Sequence, residues 1–264
     1  MALRIVYVGH GTVLVDLDGV RLLTDPVLRS VVAHLRRSGR VDHDALRGVD
    51  AALVSHLHFD HLDPPSLERL GRELPIVVPR AAAALLRRKR YSHVSELAVG
   101  ETLLIGGLTV RAAPADHDGS RLPFGTKVEP VGYVVEGSQS VYYAGDTGLF
   151  DGITEIGPVD VALVPIWGWG PRLGPGHLDP ERAAQAVALL RPRVAIPVHW
   201  GTYYPVHQGI TGRPAYLKSP PGEFVAAAAV AAPDVEVRVL QPGDETVVLP
   251  AGTDAPGEPT AVSD

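Results

Sequence analysis

The sequence predicts a single α/β domain in which β-sheets pack on each other with helices outside. Three observations carry this prediction. Short β-rich runs bounded by turn residues fill both halves of the chain, each half also carries helical spacing, and no repeat or linker divides the 264 residues. That length can bury one large core, and a hydrophobic share of 45% is ordinary for a globular protein. The domain is expected over residues 1–250, and the small, polar stretch 251–264 is expected to be a disordered tail.

The elements follow in order. "RIVYVG", "TVLVDL" and "VRLLTD" read as strands, with "LDG" turning between the last two. Residues 29–48 are basic and irregular and read as a loop or short helix. "DAALVSH" is a buried strand, and "PPSLERLGREL" is a helix opened by proline. "PIVVP" is a short strand, and "RAAAALLRRKRY" has amphipathic helical spacing. "ETLLIGGLTVRAAPA" and "VGYVVEGSQSVYYAGD" are hairpins turning at Gly106-Gly107 and near Gly137-Ser138. "VDVALVP" is a buried strand, and "DPERAAQAVALL" is a helix with Asp179 as N-cap and Pro180 at its first position. "RVAIPVH" is a strand, "PGEFVAAAAVAA" a helix, and "VEVRVLQPGDETVVL" a final strand pair.

Composition excludes several functions. There is no cysteine, so disulfides, thiolate ligands and thiol nucleophiles are ruled out. The net charge of −6 disfavours nucleic acid and anionic membranes as partners. No export signal opens the chain, and no apolar run reaches the ~18 residues of a membrane span, so a cytoplasmic protein acting on a small molecule is expected.

The segment "VSHLHFDHLDP" carries the chemistry. His56 and His58 lie two apart, so an extended backbone points both imidazoles the same way. Asp60 and His61 follow at once, where the chain turns towards the expected helix. Four nitrogen and oxygen donors so close together exceed what one tetrahedral zinc takes from one segment, and they suit two ions sharing a loop. His117 in "APADHDG", Asp146 in "VYYAGDTG" and His199 in "VAIPVHWGT" each follow an apolar run, and each would bring one more donor to a strand's carboxyl end.

The order H-x-H-x-D-H, a downstream histidine, G-D-T and a last histidine resembles the metallo-β-lactamase superfamily over about residues 3–205. "GHGTVLVDLDGVRLLTDPV", "YYAGDTG", "GHLDPERAAQAV" and "IPVHWGTY" resemble the branch containing N-acyl-phosphatidylethanolamine phospholipase D and ascorbate-6-phosphate lactonase. The resemblance implies a four-layer αββα sandwich with its site at one edge. It implies that His56, His58 and His117 bind one metal, that Asp60, His61 and His199 bind the other, and that Asp146 bridges them. It also implies hydrolysis by a hydroxide shared between two divalent ions, with zinc favoured by the imidazoles and manganese or iron compatible with the donors. Two relatives are set apart: di-zinc β-lactamases use a cysteine ligand, and the superfamily's nucleases need a longer insert than the gap from Asp146 to His199 allows.

Further residues belong around this centre. Asp60 can orient the hydroxide. His177 in "GPGHLDPERA" either touches substrate and protonates the leaving group or bonds to backbone at the helix entry. His10 and Asp25 have structural roles or support a metal-bound imidazole. His34, His43 and His93 are expected at the surface, and His207 has no evident role. Trp167, Trp169 and Trp200, with Phe59, Tyr203 and Tyr204, either wall a substrate pocket or pack beneath a loop. The leading reading is hydrolysis of an ester, phosphodiester or lactone. The segment "DHDGSRLPFGTKVEPVGYVVEG" departs from the phospholipase pattern, which leaves lipid phosphodiester cleavage as an alternative beside a non-catalytic metal-binding or regulatory protein.

Overall fold

The computed structural model describes residues 2–121, 127–210 and 215–252; the expected tail therefore lies outside the described residues from position 253 on. Two seven-stranded sheets face each other. The first begins with the antiparallel strands β1 (Leu3–Gly9), β2 (Thr12–Leu17) and β3 (Val20–Thr24) and continues in parallel through β6 (Ala51–Leu53), β7 (Ile76–Pro79) and β8 (Val94–Leu97). The second runs antiparallel through β9 (Thr102–Ile105), β10 (Leu108–Pro114), β11 (Val131–Glu136) and β12 (Ser140–Tyr143). It then turns parallel through β13 (Val161–Pro165), β14 (Val194–Val198) and β16 (Glu236–Val237).

Side-chain alternation explains the layers. On β1, Leu3, Ile5 and Tyr7 enter the core between the sheets, while Val6 and Val8 join a separate cluster with Leu14, Leu23, Leu28 and Leu46 on the outer face. On β6 and β7, Leu53 and Val77 face inward, whereas Ala52, Val54, Ile76 and Val78 pack with Leu67 and Leu86 of the first helix pair, α1 (Pro64–Leu70) and α2 (Ala83–Arg87). On the far side, Ala183, Ala184, Ala186, Val187 and Leu190 of α3 (Pro180–Leu190) and Phe224 and Ala228 of α4 (Pro220–Ala231) cover the second sheet. The result is an αββα sandwich. Asp179 caps α3 by accepting from Arg182 N at 2.8 Å, as its position before Pro180 predicts.

Three local expectations differ from the structure. Residues 29–48 supply two strands, β4 (Val31–Val32) and β5 (Leu35–Arg37), which form a small sheet with β15 (Tyr203–Pro205). "RAAAALLRRKRY" is helical only over Ala83–Arg87 and ends by Arg90, whose φ of 65° leaves the helical region. "VEVRVLQPGDETVVL" supplies two strands, but they do not pair with each other: β16 joins β14, while β17 (Glu245–Val248) pairs with β1 in the other sheet. Among the described residues, no helix is long and apolar enough to cross a membrane.

Candidate metal centre

The carboxyl ends of strands from both sheets meet at one edge of the sandwich, the position where open sheets hold ligands. Thr24 of β3 leads to Asp25, Leu53 of β6 to the 56–61 loop, Pro114 of β10 to His117, Tyr143 of β12 to Asp146, and Val198 of β14 to His199. The 56–61 loop is held from both ends. Arg121 Nη1 donates to the carbonyls of Leu57 and Leu62 at 2.8 and 2.9 Å. Asp63 caps α1 through Ser66 N at 3.1 Å and pairs with Arg29 at 2.6 and 2.8 Å. The turn before Asp146 needs glycine, because Gly145 has φ +63° and a Cβ there would stand 2.7 Å from Ser55 Cβ.

These elements bring together His56, His58, Asp60, His61, His117, Asp146 and His199, with His177 beside them. His58 Nδ1 lies 3.0 Å from His56 Nε2 and 3.2 Å from His117 Nε2. His61 Nε2 lies 3.0 Å from His199 Nε2. Asp146 lies between the two sets: its Oδ1 is 3.1 Å from His199 Nε2, and its Oδ2 is 3.2, 3.9 and 4.0 Å from Nε2 of His61, His117 and His56. Asp60 Oδ2 is 3.8 and 3.9 Å from Nε2 of His61 and His199.

The outer hydrogen bonds decide which ring nitrogens are available. His117 Nδ1 donates to Gly176 O at 2.8 Å and His199 Nδ1 to Trp167 O at 2.9 Å, since a carbonyl can only accept. Ser55 Oγ donates to Asp25 Oδ2 at 2.6 Å and therefore accepts from His56 Nδ1 at 3.0 Å. His61 Nδ1 donates to Asp25 Oδ2 at 2.6 Å. The Nε2 lone pairs of His56, His117 and His199 are thus turned inward, and Asp25 orients His61 from behind in the manner of a carboxylate supporting a metal-bound imidazole.

The charges agree. Burial pushes His199 down to about 3 and holds His56, His58 and His117 below the usual histidine range, so these rings stay neutral. Burial opposes ionisation of Asp60 and Asp146, but the charge of His61 facing both, with the His177 contact to Asp146, keeps them well below the carboxylate range. Burial also opposes charge on His61, yet Asp146, Asp25 and Asp60 hold it as imidazolium. The cluster therefore demands positive charge at that place, which a proton or a divalent ion supplies. Asp146 Oδ1 is buried without a hydrogen-bond partner, because the nearby His199 Nε2 carries no hydrogen. An unsatisfied carboxylate oxygen among inward lone pairs, all nitrogen and oxygen donors, fits divalent metal.

A cavity of about 360 Å³ opens over His58, Asp60, Asp146 and His177 and is walled by Ala33, His34, Leu35, Phe59 and Trp169. His34, His43 and His93 are at the surface as expected, but His34 packs edge-on against Trp169 at 4.9 Å and so joins the cavity wall. Of the aromatics considered for a pocket, Trp169 and Phe59 line it. Trp200 instead stacks on Tyr7 in the core, and Tyr203 and Tyr204 are buried. Trp167 packs against the core and donates its Nε1–H to Gly170 O at 3.0 Å. Sequence reasoning missed Ser55 and Tyr143, which both hydrogen-bond Asp25, and the cavity wall built by the turn between β4 and β5 and by Leu35. His207 lies exposed in a short helical turn.

A family model described as a beta-lactamase superfamily domain matches residues 20–200. The chain belongs to the beta-lactamase superfamily. Within that superfamily it is 37% identical over 254 residues to a UPF0173 metal-dependent hydrolase of Methanopyrus kandleri, covering 92% of this chain and 98% of the relative. It is 33% identical over 225 residues to the N-acyl-phosphatidylethanolamine-hydrolyzing phospholipase D 1 of Caenorhabditis elegans, covering 75% of this chain and 63% of that protein. Among solved structures it resembles a metallo hydrolase of the archaeon Ignicoccus hospitalis, with a TM-score of 0.73 and 26% identity over 94% of this chain and 99% of the other. The sandwich architecture expected from the sequence is therefore shared with metallo-hydrolases of the beta-lactamase fold, and the chain is a metal-dependent hydrolase of this superfamily.

Proposed function

We propose that the chain uses two divalent ions, zinc before manganese or iron, to hydrolyse an ester, lactone or phosphodiester bond of a small molecule. His56, His58 and His117 would hold one ion, Asp60, His61 and His199 the other, and Asp146 both. The observation that carries the reading is the position of Asp146, whose two carboxylate oxygens face donors from both sets. Ions held there would supply Lewis acidity, lowering the pKa of a water and polarising the bond under attack.

The chain's own groups complete the chemistry. Asp60, kept ionised beside His61 and facing the cavity, can accept a hydrogen bond from the attacking water and fix its direction. His177 Nδ1 faces the carbonyls of Gly174 and Pro175 at 3.2 Å each and so carries a hydrogen. Its Nε2 points to Asp146 Oδ2 at 3.5 Å. Burial opposes charge on this ring, but the Asp146 carboxylate raises its affinity for a proton, so Nε2 can hold a second proton for the leaving group. The cavity lies near the small end of the ~300–1,000 Å³ typical of ligand sites, which favours a compact molecule with an apolar or aromatic portion against Phe59 and Trp169.

The test is a screen of zinc-loaded protein against esters, lactones, bis-p-nitrophenyl phosphate and an N-acyl-phosphatidylethanolamine. Turnover of small substrates is expected. Turnover of the lipid alone would favour the alternative suggested by the nematode relative, and full metal content with no turnover would favour a non-catalytic metal-binding role.

A further inference from the structure

His10 belongs to none of the proposed ligand sets, yet it touches one of them repeatedly. It is 1% exposed and follows β1 with φ +60°, a left-handed conformation in which a histidine is strained. Its Nε2 lies 2.8 Å from Asp60 Oδ2. Its ring lies over that of His199, with centroids 3.8 Å apart and planes 34° from parallel. Its carbonyl accepts from His199 N at 3.0 Å, and His199 is left-handed too, at φ +61°. Two strained histidines, one from each sheet, are thus bonded to each other at the edge where the sheets meet.

Hydrogen-bond inventory fixes the direction of the side-chain contact. Asp60 Oδ2 is a carboxylate oxygen 2.8 Å from His10 Nε2, so the contact is a hydrogen bond that the ring N–H donates. His10 Nδ1 is buried with no hydrogen-bond partner. A ring retained only for packing would gain nothing from that orphaned nitrogen, and an apolar ring would fill the place without one. The backbone is pinned as well: His10 N donates to Thr202 Oγ1 at 2.8 Å, beside Tyr203, whose ring meets His10 edge-on at 5.2 Å. The imidazole thus has one polar task, and that task is Asp60.

We propose that His10 is a positioning residue for one half of the metal centre: its Nε2–H holds the Asp60 carboxylate, and its ring holds the His199 imidazole, in the orientation that binds one of the two ions. The proposal rests on the two-ion reading and assigns His10 to the ion held by Asp60, His61 and His199. The other ion, held by His56, His58 and His117, has no contact with His10 among the described residues.

The test compares His10→Phe, which keeps a ring for His199 but lacks the donor, with His10→Gln, which restores an N–H near the position of Nε2. Zinc affinity is measured by chelator competition on each purified chain, alongside Tm. In His10→Phe, one ion is expected to weaken roughly 10–100-fold, the usual consequence of losing a residue that supports a ligand, while the other binds as in the wild type. His10→Gln should recover most of the loss. Wild-type affinity at both ions in His10→Phe would overturn the proposal. So would equal weakening at both ions with a lowered Tm that His10→Gln does not restore, since that marks a role in folding alone. A wild-type chain that binds a single ion would count against the two-ion reading, and the proposal would then stand or fall on whether His10→Phe weakens that ion and His10→Gln restores it.

Discussion

Replacing Asp25 by asparagine should damage both fold and metal binding. Asp25 is fully buried, and its two oxygens accept four hydrogen bonds: Ser55 N at 2.7 Å on Oδ1, and Ser55 Oγ at 2.6 Å, His61 Nδ1 at 2.6 Å and Tyr143 OH at 2.5 Å on Oδ2. Asparagine offers one oxygen and one NH2 in the same space. If its oxygen faces His61, its NH2 meets the Ser55 N–H, donor against donor. If it is flipped, the NH2 faces the His61 Nδ1–H, again donor against donor. At least one buried donor is stranded in either orientation, at about 2 kcal/mol. For a domain of this size that is a fall in Tm of about 4–8 °C. Zinc affinity should fall roughly 10–100-fold as well, because the His61 ring loses its orienting partner. Scanning fluorimetry on metal-loaded and chelator-treated protein, with a competition titration for zinc, measures both effects. An Asp25→Asn chain that melts and binds zinc like the wild type would refute the argument that this carboxylate orients the His61 ring.

Three further outcomes are expected. Asp146→Ala should fold but lose nearly all hydrolysis, with metal content and turnover measured on the same sample; wild-type kcat in a fully metallated variant would remove Asp146 from the centre. His177→Ala should retain metal and Tm but lose roughly 10²-fold in kcat on substrates with poor leaving groups, far more than on activated esters; equal losses on both with a lowered Tm would make it structural. Asp160 is held below the usual carboxyl range: partial burial opposes ionisation, but the Ser140 N–H, Arg193 and the Ser140 hydroxyl outweigh it. A depressed folded-state pKa stabilises above the unfolded value of about 4 and loses that contribution as pH falls through the folded one. Asp160→Asn should therefore lower Tm at pH 7, with the gap to wild type narrowing as pH falls below about 4; a constant gap would contradict the ionic origin.

Much of the site was legible because its donors follow recognisable strand ends. Apolar runs before His56, Asp146 and His199 mark where the backbone leaves a sheet, and H-x-H-x-D-H is dense enough to stand out alone. The supporting contacts were less visible, since His10 and Asp60 are 50 residues apart and no local pattern joins them. The same holds for β4 and β5: strands of two and three residues show no periodicity, and their sheet depends on Tyr203–Pro205, far along the chain. The last two strands look like a hairpin because each alternates and a Pro-Gly turn separates them. Tyr7 instead exchanges backbone hydrogen bonds with Asp244 and Gly243, which carries β17 to the opposite sheet. Trp200 was open to a pocket role from its place beside His199, and its burial against the Tyr7 ring, at 6.1 Å, assigns it to the core.

The central claim is that Asp146 lies between two bound ions. Zinc-reconstituted, desalted protein analysed by elemental mass spectrometry, with anomalous diffraction at the zinc edge from the same preparation, tests it most directly. Two ions per chain are predicted, ~3.5–4 Å apart, with Asp146 between them. A reproducible single ion, or two ions of which one lies away from Asp146, would contradict it.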